Sequence, residues 1–163
     1  MSTKYLADNE ILTVAMNMET EGYQFYDKAS KSVRDKDTRE AFIRLRDEEA
    51  EHLATFKEML ASLPDSDAND YFGVTADIAS YLEALVDTGV FKNKNIEAMR
   101  DMDEIEALQM AVQAERDSVL FYSGAVSSSV NPRAKEAMRE IIEVEKGHIV
   151  ALTNRLRVAR KLF

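Results

Sequence analysis

The chain has only two histidines, and both close the same four-residue frame: Glu49-Ala50-Glu51-His52 and Glu145-Lys146-Gly147-His148. On a helix, positions three apart share a face, so each glutamate stands beside its histidine. A carboxylate next to an imidazole is a donor set for a divalent transition metal. A single such frame is weak, because glutamate on a helix usually faces solvent. The two frames gain weight because they belong to a repeat. Slid by 96 residues against itself, the chain lays Leu12 on Leu108, Ala15 on Ala111, Glu19 on Glu115 and Phe25-Tyr26 on Phe121-Tyr122. The same shift lays Glu49 on Glu145 and His52 on His148. A shared offset of this kind marks duplicated supersecondary units.

Helices must present these residues, and four segments carry the required 3-4 spacing of apolar positions. The first, about 8–32, has the stripe Leu12, Ala15, Glu19, Gly22, Tyr26; the second, about 38–62, has Phe42, Leu45, Glu49, His52, Phe56, Met59. The third, about 102–127, has Leu108, Ala111, Glu115, Ser118, Tyr122; the fourth, about 132–161, has Met138, Ile141, Glu145, His148, Leu152. Asp37 with Glu40 and Asp101 with Glu104 read as helix-starting boxes, and Asn131-Pro132 as an N-cap followed by proline. Every segment thus sets a glutamate in the middle of its own apolar face. An unpaired buried carboxylate costs several kcal/mol, and no lysine or arginine stands on these stripes. Two divalent cations would balance four carboxylates and two neutral imidazoles. Tyr26 and Tyr122, seven residues after Glu19 and Glu115, are candidate catalytic residues through hydrogen bonds to a ligand carboxylate, although aromatics so placed more often serve packing.

The 163 residues fit one domain, 1–163, with enough chain for a substantial core. Five glycines and two prolines leave little turn chemistry, which favours long helices. The short links SKSVRDKD and VSSSVNP fold each helix pair back as a hairpin, about 8–62 and 102–161. The intervening stretch, about 63–101, contains PDSDANDYFG and a short helix, ADIASYLEALVDT, stopped at Gly89. Two hairpins joined by so long a crossover predict an all-α, ferritin-like four-helix bundle. A net charge of −9 argues against nucleic acid and anionic membrane as partners. No apolar run approaches the roughly 18 residues of a spanning helix. MSTKYLADNE has no signal-peptide pattern, so a cytoplasmic location is expected. The absence of cysteine removes disulfides, thiol catalysis and thiolate-bound metal.

One Glu from each of two helices, plus Glu-x-x-His from each of two more, is the ligand pattern of di-iron carboxylate bundles. At METEGYQFY, EEAEH, AERDSVLFY and VEKGH the sequence resembles the rubrerythrin branch of the ferritin-like superfamily, over nearly its whole length. The resemblance implies two iron ions (Fe2+/Fe3+) held by Glu19, Glu49, His52, Glu115, Glu145 and His148, with Glu49 and Glu145 as bridges. Zinc or manganese could substitute, since nitrogen–oxygen sites do not select iron by affinity alone. Rubrerythrins usually carry a rubredoxin domain with four cysteines, absent here, so a separate electron donor such as a rubredoxin-like protein is implied. They also place another carboxylate where Ser118 stands, which puts redox-linked ligand exchange in doubt; Gly22 is the matching position of the first helix.

The function so implied is reduction of hydrogen peroxide or dioxygen at the paired irons. A non-catalytic iron-binding or ferroxidase-like protein is the alternative, and a metal-free polar layer that sets helix register is a third reading. Rubrerythrin-like domains commonly dimerise, and Tyr71, Phe72, Tyr81 and Phe91 in the crossover offer apolar surface for a homodimer. Either one chain or hairpins exchanged between two could complete the site.

Overall fold

A computed structural model describes residues 7–64 and 76–161. Among these residues there are five α-helices and no strand: α1 (Asp8–Ser32), α2 (Lys36–Ser62), α3 (Ala76–Thr88), α4 (Glu104–Ser128) and α5 (Pro132–Ala159). None is long and apolar enough to cross a membrane. The α2 N-cap is Asp35, which accepts from the Thr38 N–H at 2.8 Å. For α4 it is Asp103, accepting from the Glu106 N–H at 2.9 Å. Both caps lie two residues before or after the expected Asp37 and Asp101. Asn131 caps α5 as anticipated, its side chain accepting from the N–H groups of Arg133 and Ala134.

α1 packs on α2 and α4 on α5, and the hairpins meet through α1 on α4 and α2 on α5. Contacts at the helix ends fix the directions. The start of α1 reaches the turn after α4, where Asp8 accepts from the Asn131 N–H at 3.0 Å. The far end of α1 lies beside the approach to α4, where Lys28 meets Asp101 at 2.9 Å. α1 and α4 are therefore antiparallel. Arg155 near the end of α5 pairs with Asp35 and Asp37 at the start of α2, so these two are antiparallel as well.

The core divides in two. One cluster holds Phe25, Tyr26, Phe42, Ala111 and Leu152; the other holds Leu12, Ala15, Phe56, Tyr122, Met138 and Ile141. On every long helix the glutamate of the repeat falls between them. Burying a large apolar side chain contributes roughly 1.5–3 kcal/mol, so two packed cores offset a costly polar layer at mid-height.

α3 lies on α4. Gly124 permits the close approach: a Cβ there would stand 2.8 Å from Leu82 Cδ2. The chain after α3 is tied down by Asp117, which accepts from the Val90 N–H at 2.8 Å. Phe91 is consequently buried, its ring 5.0 Å from that of Phe25. It is core rather than dimer surface; Tyr81 is exposed, while Tyr71 and Phe72 lie outside the described residues. Gly147 is the reverse case of Gly124, since a Cβ there meets nothing within 4 Å. Gly147→Ala is expected to raise stability by about 1 kcal/mol through helix propensity, measured by urea denaturation.

Candidate metal centre

Between the two cores, one chain brings together all six residues of the repeated pattern. Glu19, Glu115 and Glu145 are each 1% exposed, Glu49 6% and His52 8%. Two groups of potential ligand atoms form: Glu19, Glu49, His52 and Glu145, and then Glu115, Glu145 and His148. Glu145 belongs to both. Its Oε1 lies 3.0 Å from His52 Nδ1 and its Oε2 2.8 Å from His148 Nδ1. His52 Nδ1 is also 3.3 Å from Glu19 Oε2, and His148 Nδ1 is 3.5 Å from Glu115 Oε2. The imidazole rings stack with centroids 6.5 Å apart. Glu49 stands with the His52 group only, 4.0 Å from Nδ1.

The tyrosines cross between hairpins. Tyr26 on α1 donates its hydroxyl to Glu115 on α4, and Tyr122 on α4 donates to Glu19 on α1. Each occupies one carboxylate oxygen. The other oxygens, Glu115 Oε2 and Glu19 Oε2, are buried without a hydrogen-bond partner, as are His52 Nδ1 and Glu145 Oε1. Those atoms approach one another without directed hydrogen bonds. Buried polar atoms are nearly always satisfied, so these orphans, three in the His52 group and one in the His148 group, fit divalent cations better than a finished polar network.

With no cation bound, such a cluster would have to keep protons. Burial, the neighbouring Glu19 and the charge of Glu115 raise the Glu49 carboxyl well above its ordinary range. Burial and the adjacent Glu145 do the same to Glu115. Burial would also raise Glu145, but the close approach of Glu115, His148 and His52 outweighs it and lowers its pKa. For the imidazoles burial opposes charge, yet the carboxylates win and hold His52 at about 10 and His148 at about 11. Histidine pKa values raised on folding favour the folded state fully below about 6.5, the unfolded value. That stability is lost as pH rises through 10 to 11. The raised carboxyls of Glu49 and Glu115 act with the same sign. Chelator-treated protein should therefore melt at progressively lower temperature from about pH 6.5 upward. Metal-loaded protein should show a shallower slope, because its ligands are already deprotonated. Calorimetric melts at several pH values compare the two.

Gly22 and Ser118 border Glu49. A Cβ on Gly22 would lie 3.0 Å from Glu49 Cδ, so this glycine makes room for the carboxylate. A cavity of about 70 Å³, lined in part by Gly22, Ser118, Leu85 and Phe121, opens onto Glu49. One polar neighbour stands outside the repeat. Glu48 on α2 contacts Nε2 of His148 on α5, the ring nitrogen opposite the one facing Glu145. The 96-residue offset lays Glu48 on Val144, so the repeat itself breaks at this position.

No curated protein matches the chain. A crystal structure of a Thermotoga maritima protein described as a ferritin-like diiron-carboxylate protein is similar, with a TM-score of 0.70 and 26% sequence identity, covering 94% of this chain and 96% of that one. The rubrerythrin family model matches residues 10–155. That span includes nearly all of both hairpins and every residue of the cluster, and the chain belongs to the rubrerythrin family.

Proposed function

We propose that this protein is a di-iron oxidoreductase that reduces hydrogen peroxide or dioxygen. Glu19, Glu49, His52, Glu115, Glu145 and His148 would hold the two irons, Glu145 being the residue common to both groups of ligand atoms. The supporting observation is the set of orphaned oxygen and nitrogen atoms converging in a buried interior where, among the described residues, the only basic groups that the carboxylates meet are the two imidazoles. When bound, two ferrous ions would supply the two electrons that reductive cleavage of an O–O bond needs.

The remaining tasks fall to the chain. Tyr26 and Tyr122 each hold one oxygen of Glu115 and Glu19 and leave the other turned inward. The apolar clusters on both sides keep bulk water from the carboxylates. The cavity at Glu49, about 70 Å³, exceeds the roughly 30 Å³ share of one water in the liquid. Peroxide and dioxygen are small enough to enter such a space. On this reading the electrons come from a separate reductant such as a rubredoxin-like protein, and the working form is a cytoplasmic homodimer.

The test is anaerobic titration with ferrous iron, followed by peroxide or air. Two irons should bind per chain and oxidise promptly, and continued addition of a reductant should sustain peroxide consumption. Ferrous iron left unchanged by both oxidants would end this reading. One round of oxidation without turnover under any donor would favour iron handling instead.

A further inference from the structure

The two histidines are equivalent in the repeat but not in their surroundings. Each turns Nδ1 toward the interior carboxylates. Beyond that the symmetry stops. His148 Nε2 meets Glu48 across the α2–α5 seam, at the edge of a cleft that also contains Arg44 and Arg155. The repeat would supply the same support to His52 from residue 144, four positions before His148, just as Glu48 lies four before His52. Residue 144 is valine, 42% exposed. Valine accepts no hydrogen bond, and among the described residues no side chain stands to His52 Nε2 as Glu48 stands to His148.

A carboxylate behind a metal-binding imidazole does two things. It fixes the proton on the outer nitrogen, leaving the inner one free as donor, and it raises that donor's basicity. From this one-sided contact we infer that Glu48 is a positioning residue that makes the two metal positions unequal, the ion beside His148 being held more tightly than the ion beside His52. The inference rests on the di-metal reading of the cluster. It requires neither iron nor redox turnover. Removing such a partner typically weakens binding by about 10–100-fold.

The experiment titrates full-length, chelator-treated protein with Co2+, followed by calorimetry and visible absorbance. Zn2+-loaded samples provide imidazole 15N shifts, which two histidines make simple to assign. The unaltered protein should bind two ions in separated steps. Glu48→Ala should weaken the first step by about 10–100-fold and leave the second in place, and Glu48→Gln, which keeps a neutral acceptor, should fall between. In the Zn2+ form, one histidine should show a hydrogen-bonded Nε2–H that Glu48→Ala alters. Val144→Glu should tighten the weaker step and bring the two together, an outcome that damage to the fold cannot mimic. Two equal steps unaffected by Glu48→Ala, or a Val144→Glu protein with an unchanged weaker step, would overturn the inference. Failure to bind Co2+ at all would instead refute the metal reading on which it stands.

Discussion

Glu145→Ala is expected to cost the protein both metal ions, whereas Glu19→Ala and Glu115→Ala should each cost chiefly one. The reason lies in the shared carboxylate. Glu145 offers one oxygen 3.0 Å from His52 Nδ1 and the other 2.8 Å from His148 Nδ1. It is the residue common to both groups of ligand atoms, while Glu19 belongs to the His52 group and Glu115 to the His148 group. Losing an outer partner of a ligand costs about 10–100-fold in affinity, so losing a ligand shared by two ions should exceed about 100-fold at each. Titration with Co2+ should show occupancy falling from two ions per chain to almost none at micromolar metal. A second readout is independent of metal. Glu145 is among the groups that hold His52 and His148 near 10 and 11, so the metal-free variant should lose much of the decline in stability with rising pH. Retention of one tightly bound ion in Glu145→Ala would contradict the arrangement.

The central layer is readable from sequence because its logic is local. A 3-4 stripe, interrupted on four helices by a glutamate at one common offset, needs no knowledge of how the helices pack. The residues that escape such reading are those whose role depends on a second element. Asp35 and Asp37 are both competent N-caps. The fold selects Asp35, which accepts from Thr38, while Arg155 of α5 draws near both. Asp101 likewise resembles a cap but is drawn to Lys28 of α1, leaving Asp103 to start α4. Phe91 looks like an exposed aromatic in a long connection until Asp117 pins the backbone beside it and turns the ring onto Phe25. Glu48 is one glutamate among several in EEAEH, on a face that periodicity assigns to solvent. Its side chain is indeed 42% exposed, and only the approach of α5 gives it a partner.

Tyr26→Phe and Tyr122→Phe should each lower the stability of the metal-free protein by about 1–3 kcal/mol, the cost of leaving a buried acceptor without its donor. The substitution isolates the hydroxyl, because phenylalanine preserves the ring contacts. Tyr26 packs against Phe25 and Phe42, with centroids 5.3 and 5.8 Å away. Tyr122 packs against Phe56 and Phe121 at 5.4 and 5.8 Å. Burial first, and then the adjacent Glu115 or Glu19, raises each phenol well above 10, so both remain donors across the ordinary pH range. Phenylalanine would leave a buried carboxyl oxygen without its donor. The crossing of the two contacts sharpens the prediction. Tyr26 serves Glu115, of the His148 group, and Tyr122 serves Glu19, of the His52 group. Each variant should therefore weaken one Co2+ step more than the other, in opposite order for the two tyrosines. Urea denaturation gives the stability change, and titration gives the affected step. Two variants as stable as the parent, with both steps intact, would reduce these tyrosines to core packing.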